Sequence, residues 1–111
     1  ASERYRTAMR LGGAVGGKRV GERFMVAAMN EDEAVARVLH FLEHCKVGQI
    51  TMGDTIRIVQ NCESVFTRSK EPSCHFTTGF LNGFFSVVKN QHVREIRCIA
   101  MGDAYCEWEM I

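Results

Sequence analysis

Glycines recur at helical spacing near the start of the sequence, and this pattern constrains the fold more than any other feature. They lie on two adjoining strips of a helical wheel: Gly12 and Gly16 on one, and Gly13, Gly17 and Gly21 on the other. Each glycine destabilises an isolated helix by up to about 1 kcal/mol relative to alanine, so a helix over about residues 3–29 needs a tertiary reason for them. Strips without side chains let another element approach the helix backbone. We therefore predict a first helix that packs closely against a neighbour.

The same run fits most of a phosphate-binding loop, in which a glycine is followed by four residues and then by Gly-Lys. Gly12 is followed in this way by Gly17 and Lys18. Arg19, however, stands where such a loop places the Ser or Thr that holds magnesium. Nucleotide binding is therefore disfavoured, and a helix packed through its glycines is the better interpretation.

Capping and apolar periodicity predict two further helices. Asn30 is the expected N-cap of the second, and the acidic residues after it suit the positive end of a helix dipole. Apolar residues then recur at three- and four-residue spacing: Ala34, Val35, Val38, Leu39, Phe41, Leu42 and Cys45. The third helix is expected to begin near Cys74, with Gly79 and Gly83 allowing close contact. Its predicted apolar face consists of Phe76, Phe80, Leu81, Phe84, Val87 and Val88.

Two β-hairpins complete the predicted fold. Residues 49–59 alternate inner and outer side chains around a Gly-Asp turn. A second hairpin is expected from strands near 92–101 and 104–111, joined by another Gly-Asp pair. The sequence thus predicts an α+β fold in which an antiparallel sheet of two hairpins is covered by helices on one face. The length suits one ordinary domain, so residues 1–111 are expected to form a single unit.

Charge and hydropathy narrow the classes of partner. Lys and Arg number 14 against 13 Asp and Glu, so the chain lacks the basic surface of a dedicated nucleic-acid-binding protein. No run approaches the roughly 20 apolar residues of a membrane span, and the first residues do not begin an apolar signal-peptide core. We therefore expect a soluble cytoplasmic protein that binds neither nucleic acid directly nor a membrane. In that reducing compartment its five cysteines are expected to be thiols or metal ligands.

Three cysteines and a glutamate form a candidate metal site. Cys98 follows Glu95 by three residues, which places the two side chains on opposite faces of a regular strand. They converge only if the strand bends, bulges or ends between them. Cys106 lies on the expected partner strand and Cys74 at the start of the third helix, so three thiolates and a carboxylate could bind zinc, with His75 as a substitute for the carboxylate. On the residues alone, three small buried hydrophobic residues are the more favoured interpretation, because the sequence has no Cys-x-x-Cys pair, and a catalytic cysteine is the least favoured.

The C-terminal half carries a resemblance to a known family. A cysteine precedes a Gly-x-x-x-Gly helix at residues 74–83, and the pattern Glu-x-x-Cys-x-x-x-Gly-Asp-x-x-Cys follows at residues 95–106. On these motifs the chain resembles the 4-vinyl reductase domain family of hydrocarbon-binding proteins and aromatic-sensor domains, which is related in fold to TRAPP vesicle-tethering subunits. The glycine-rich helix, the second helix and the first hairpin fit the same family. The resemblance implies a structural zinc site at Cys74, Glu95, Cys98 and Cys106.

The function that the resemblance implies is a noncatalytic binding or sensory domain for a small hydrophobic molecule. Such domains are often homodimers, here through the glycine-rich or the aromatic helix. The ligand would lie between helices and sheet, and the candidate lining residues are Phe41, Phe66, Phe76, Phe80 and Phe84. Ordinary core packing is the simpler interpretation of these rings. The upstream His and Trp pair of phenol-sensing members has no counterpart, since the single Trp is Trp108, so a phenolic ligand is disfavoured.

Two alternative functions follow from the same resemblance. The family name suggests a subunit of a tetrapyrrole vinyl reductase, but the sequence offers no site for a hydride-carrying cofactor. We therefore favour a chain that is not itself an enzyme. The second alternative is a TRAPP-like assembly module, whose cavity would be filled or absent.

Overall fold

The chain folds as an antiparallel sheet against which the second and third helices pack, and the first helix packs on the third. A computed structural model describes residues 3–111, so Ala1 and Ser2, which were expected to belong to the same domain, lie outside the described part. The helices are α1 (Glu3–Ala27), α2 (Glu31–His44) and α3 (His75–Val88). The strands are β1 (Gln49–Met52), β2 (Thr55–Val59), β3 (Val93–Arg97) and β4 (Cys106–Met110), in the sheet order β1-β2-β4-β3. This arrangement confirms the predicted α+β fold.

The connection between α1 and α2 is capped as the sequence predicts. The Asn30 side-chain oxygen accepts a hydrogen bond from the Glu33 backbone N–H at 2.9 Å. The Glu33 carboxylate in turn accepts one from the Met29 N–H at 2.9 Å. Reciprocal bonds of this kind satisfy N–H groups that a helix start otherwise leaves without partners. The edge-to-face contact of Phe24 with Phe41, whose ring centroids lie 5.9 Å apart, then holds the two helices together.

Glycines form the contact between α1 and α3. The buried residues of α1 are Gly13, Gly17 and Gly21. A Cβ added at Gly17 would overlap the carbonyl oxygen of Phe80, and one added at Gly83 would overlap that of Ala14. The two backbones approach this closely because neither helix carries a side chain at the crossing. The predicted neighbour of the glycine-rich helix is therefore the third helix, which supplies glycines of its own.

The core lies between α3 and the inner face of the sheet. Ile56, Ile58 and Trp108 are fully buried on that face, and Phe84 lies against it from α3. The indole Nε1 of Trp108 donates a hydrogen bond to the Thr78 hydroxyl at 2.9 Å, so the one polar atom of this large side chain is satisfied. The contact joins β4 to the middle of α3.

The second hairpin differs from the prediction in the length of its strands. β3 ends at Arg97, and a 3₁₀ turn at Ile99–Met101 leads the chain towards β4. Gly102 follows with φ +99°, a left-handed conformation that favours glycine. The Asp103 carboxylate then accepts a hydrogen bond from the Cys98 N–H at 2.8 Å. The Gly-Asp pair therefore closes a longer loop and does not form a two-residue turn.

The apolar face of α3 also differs in part from the prediction. Phe76 is 43% exposed and Val87 is partly exposed, although both were expected to be buried with the other apolar residues of the helix. Phe85, which the periodicity left out, is fully buried. The reason is that α3 lies between α1 and the sheet, so two neighbours determine its buried surface and the helix period alone does not.

None of the helices formed by residues 3–111 combines the length and the apolar character needed to cross a membrane.

Two glycine substitutions on α1 are expected to have opposite effects. Gly17→Ala should lower the free energy of unfolding by about 3 kcal/mol, because its methyl group would meet backbone that cannot move without separating the helices. Gly16→Ala should raise it by about 0.5–1 kcal/mol, because the added methyl group would make only an ordinary van der Waals contact with the Phe80 ring, at 3.9 Å, and alanine favours the helix. Urea denaturation of both variants measures the difference. Equal effects would contradict the assignment of this contact.

Candidate metal centre

The four predicted ligands converge at one buried position. Cys74 immediately precedes α3, Glu95 lies on β3, Cys98 follows that strand, and Cys106 begins β4. One potential ligand atom from each residue lies within 4.8 Å of the others. The Cys74 Sγ is 3.4 Å from the sulfur of Cys106 and 3.8 Å from that of Cys98. Zinc–sulfur bonds of about 2.3 Å in tetrahedral geometry place two sulfurs about 3.8 Å apart, which matches the Cys74–Cys98 distance and is slightly longer than the Cys74–Cys106 distance.

A bulge in β3 allows Glu95 and Cys98 to meet. Glu95 pairs with Trp108 and Arg97 pairs with Glu107, so one more residue lies on β3 than on β4 between these pairs. The irregularity reverses the alternation of side chains just before the strand ends. It is the departure from a regular strand that the three-residue spacing required.

The donor set fits a divalent cation because one carboxylate oxygen has no other partner. The three cysteines are fully buried, and one oxygen of Glu95 accepts a hydrogen bond from the Cys74 N–H at 3.3 Å. The other oxygen is buried and lacks a hydrogen-bond partner among residues 3–111. An unsatisfied buried carboxylate oxygen is costly, and a cation bound beside the thiols would satisfy it. The structure places Glu95 in the cluster and directs His75 to Arg10 instead.

Protons occupy part of this cluster when no cation is bound. Burial raises the pKa of Glu95 to about 7. The hydrogen bond with Cys74 lowers the pKa of Cys106 to about 6, and the same bond, together with burial, raises the pKa of Cys74. A bound cation would displace these protons. Three thiolates and one carboxylate contribute −4, so a divalent ion leaves the loaded centre with a charge of −2.

Two buried polar residues support the thiols, and the sequence analysis did not identify them. The Asn61 amide donates to the Cys74 sulfur at 3.5 Å, and the Ser64 hydroxyl lies 3.1 Å from the Cys106 sulfur. Both side chains are fully buried. They belong to an irregular turn between β2 and α3 that has no periodic pattern, so no local signal indicates them. Hydrogen bonds of this kind orient metal ligands.

A third residue that the sequence analysis missed caps α3 from a distance. The Glu63 carboxylate accepts hydrogen bonds from the Phe76 and Thr77 N–H groups, both at 2.8 Å, and from the Thr77 hydroxyl at 2.5 Å. Cys74 occupies the N-cap position but makes no side-chain capping bond. Because Glu63 satisfies the helix start, the Cys74 thiol is available to the cluster.

A polar cleft of about 600 Å³ opens beside the metal centre, between α1, α3 and β3. Glu95 lines this cleft and also belongs to the cysteine cluster. The other polar residues around it include Arg6, Arg10, His75, Thr78 and Asn82. The spacing of these residues in the sequence does not indicate that they share a surface.

The predicted ligand-lining rings occupy different environments. Phe80 and Phe84 are buried on α3, and Phe41 packs against Phe24. Phe66 is 97% exposed, and a ring with this exposure does not line an enclosed pocket. Phe76 is also exposed in part. The involvement of these five rings in ligand binding stays a prediction.

Comparisons with known proteins agree with this geometry. The family model of the V4R domain matches residues 55–111, which contain all four proposed ligands. A vinyl-4-reductase family protein from Methanocaldococcus jannaschii is similar in structure, with a TM-score of 0.70, 17% identity, and coverage of 93% of this chain and 66% of that one. The phenol-responsive sensory domain of the transcription activator PoxR, solved with phenol, has a TM-score of 0.83 and 16% identity, with coverage of 97% and 64%.

The chain thus spans slightly less than two thirds of the length of each of these structures. At such identities the likeness establishes a shared fold. No curated protein matches the sequence.

Zinc affinity is expected to fall as the pH drops from about 8 to about 6, because protons then compete for the Cys74, Glu95 and Cys106 ligand atoms. Calorimetric titration at pH 7 in two buffers of different ionisation enthalpy should show more than one proton released per ion. A Cys45→Ser/Cys62→Ser variant is the matched control, since both cysteines are exposed and outside the cluster. An affinity that does not change with pH would contradict this view of the centre.

Proposed function

Because the chain belongs to the V4R domain family, we propose that it is a zinc-stabilised, noncatalytic binding or sensory domain for a small hydrophobic molecule. The observation that carries the proposal is the buried group of three thiols and one carboxylate, whose potential ligand atoms all lie within 4.8 Å of one another. Four protein ligands leave no open coordination position, which is typical of structural zinc sites. The zinc would supply a crosslink between α3, β3 and β4. No residue is assigned a catalytic role.

The sensory part of the proposal is supported by the shared fold. The similar PoxR domain is a phenol-responsive sensory domain. The family resemblance implies an upstream His and Trp pair in phenol-sensing members, and no Trp precedes Cys74 in the given sequence, whose single Trp is Trp108 on β4. We therefore propose a small-molecule ligand other than phenol. The proposed location is the cytoplasm, where thiols remain reduced and available to the metal.

Purified protein is expected to contain about one zinc ion per chain, and Cys98→Ser should leave it poorly folded, because the binding energy of a structural ion is folding energy. Elemental analysis, thiol titration and circular dichroism measure these properties. The Cys45→Ser/Cys62→Ser variant should retain both zinc and fold. Less than about half an equivalent of zinc, with free thiols at all three buried cysteines, would overturn the zinc proposal.

Native mass spectrometry of gently purified protein tests the ligand proposal. A retained small molecule, seen as added mass that collisional activation removes, is the expected result. Zinc-loaded protein with no added mass, and no binding in a screen of small apolar compounds, would instead favour the assembly module.

We also propose a homodimer through the outer face of α1. Leu11 is 62% exposed and Val15 is 55% exposed, and the two lie one helical turn apart. Gly12 lies beside them with open space around its α-carbon, so a partner could approach the helix closely there. Exposed apolar residues on either side of a small residue favour helix packing between chains.

Val15→Glu is expected to convert the dimer into a folded monomer, because it would place a charge in the proposed contact. Light scattering coupled to size-exclusion chromatography measures the mass. Val26→Glu, on the same helix but away from Gly12, is the control and should remain dimeric. A monomeric native protein would reject the dimer without affecting the zinc site.

A further inference from the structure

The cleft beside the metal centre has the size and the buried polar residues of a ligand site. Its volume of about 600 Å³ lies within the range of roughly 300–1,000 Å³ that small-molecule sites occupy. His75 and Thr78, both on α3, line it and are 8% and 3% exposed. Apolar surface is provided by Pro72, Val93 and Ile111. The cleft can therefore accommodate a molecule that has a polar group and an apolar body.

Arg10 is the one arginine of the cleft lining that forms no ion pair with the described residues, although the lining as a whole carries three arginines and three glutamates. Arg6 forms ion pairs with Glu71 at 2.8 Å and with Glu3 at 3.7 Å. The third arginine of the lining, Arg94, pairs with Glu109. The last acidic residue of the lining, Glu95, is directed to the cysteine cluster. These contacts account for every charged residue of the lining except Arg10.

Arg10 has no acidic partner within residues 3–111. Its Nε donates a hydrogen bond to the His75 Nδ1 at 3.3 Å. Because that ring nitrogen accepts a hydrogen bond, it carries no proton and does not repel or neutralise the guanidinium group. The two terminal nitrogens of Arg10 form no hydrogen bond with the described residues. A guanidinium group with both terminal nitrogens available can bind a carboxylate through two parallel hydrogen bonds.

The other polar groups of the cleft also offer donors. The Asn82 side-chain oxygen already accepts a hydrogen bond from the Val93 N–H at 2.8 Å, which leaves its NH₂ group available. The Thr78 oxygen already accepts one from the Trp108 indole at 2.9 Å, which leaves its O–H as a donor. Donors that lie around one cleft complement a ligand group that only accepts hydrogen bonds.

We propose that this cleft binds a small carboxylic acid, with Arg10 pairing to the carboxylate and the apolar body of the ligand lying against Pro72, Val93 and Ile111. The inference rests on the proposed function, since it names the chemical class of the ligand. The ligand would then be a small hydrophobic molecule that carries a carboxylate at one end. A competing role for Arg10 is to offset the charge of −2 on the loaded metal centre, and the experiment separates the two.

The experiment compares benzoate with benzyl alcohol, which has the same ring but no charge, on the zinc-loaded full chain. Backbone amide shifts in NMR titrations measure both affinities. Because Arg10 is exposed, benzoate is expected to bind about two- to fivefold more tightly, and to shift the Thr78 and Asn82 resonances. Arg10→Gln should remove this preference, and Arg10→Lys should restore part of it. Lys18→Gln, which removes an exposed cation of α1 outside the cleft lining, is the matched control and should behave as the native protein does.

Three results would overturn the inference. If benzyl alcohol binds as tightly as benzoate, the cleft does not select a carboxylate and Arg10 has no role in recognising the ligand. The proposed small-molecule function would then be unaffected. If Arg10→Gln reduces zinc retention but leaves benzoate affinity unchanged, Arg10 compensates the metal centre. If neither probe binds to the zinc-loaded protein, the cleft is not the ligand site. Elemental analysis for zinc and native mass spectrometry for a retained molecule then test the proposed function independently of the cleft. Thermal unfolding of Arg10→Gln verifies that the variant is folded.

Discussion

The rest of the structure depends on the glycine contact between α1 and α3. Gly17 on one helix and Gly83 on the other let the two backbones touch, and any added side chain there would separate them. The start of α3 carries Cys74, and the side of α3 that faces the cleft carries Thr78. α1 supplies Arg10 to the same cleft. The positions of the metal ligand and of the cleft residues therefore follow from how closely the two helices approach.

The cysteine cluster provides the second constraint, because it joins the start of α3 to one end of the paired strands β3 and β4. Its ligands come from the start of α3, from β3 and the loop after it, and from the start of β4. A bound zinc would hold the N-terminal end of α3 to the sheet, and the glycine contact holds the same helix along its length. Glu63, Asn61 and Ser64 complete the arrangement by satisfying the helix start and the thiols. The short turn between β2 and α3, which carries these three residues, thus links the position of α3 to the arrangement of the thiols.

Sequence patterns predicted most of the elements and singled out the four residues that the structure brings together as a candidate metal centre, and they failed where distant residues determine the structure. The Asn30 cap and the first hairpin were predicted because their signals are local. The strands of the second hairpin are shorter than predicted. The hydrogen bond from the Cys98 N–H to the Asp103 carboxylate joins the two ends of the loop, and the alternation of side chains gives no sign of it. Phe76 was predicted to be buried from the helix period, but it is exposed in part. The period does not show that α1 and the sheet together determine which face of α3 is covered.

What the sequence determined by itself is what depends on spacing along the chain: helix starts, strand alternation, glycines that require a close neighbour, and the identity of four possible ligands. Tertiary structure alone decided that the neighbour of the first glycine series is α3, and that a bulge turns Glu95 towards Cys98. It also decided that Arg10 and Asn82, which are 72 positions apart, line one cleft. The physical reason is that close packing, ligand geometry and charge pairing depend on distances in space, which only the folded chain brings within range.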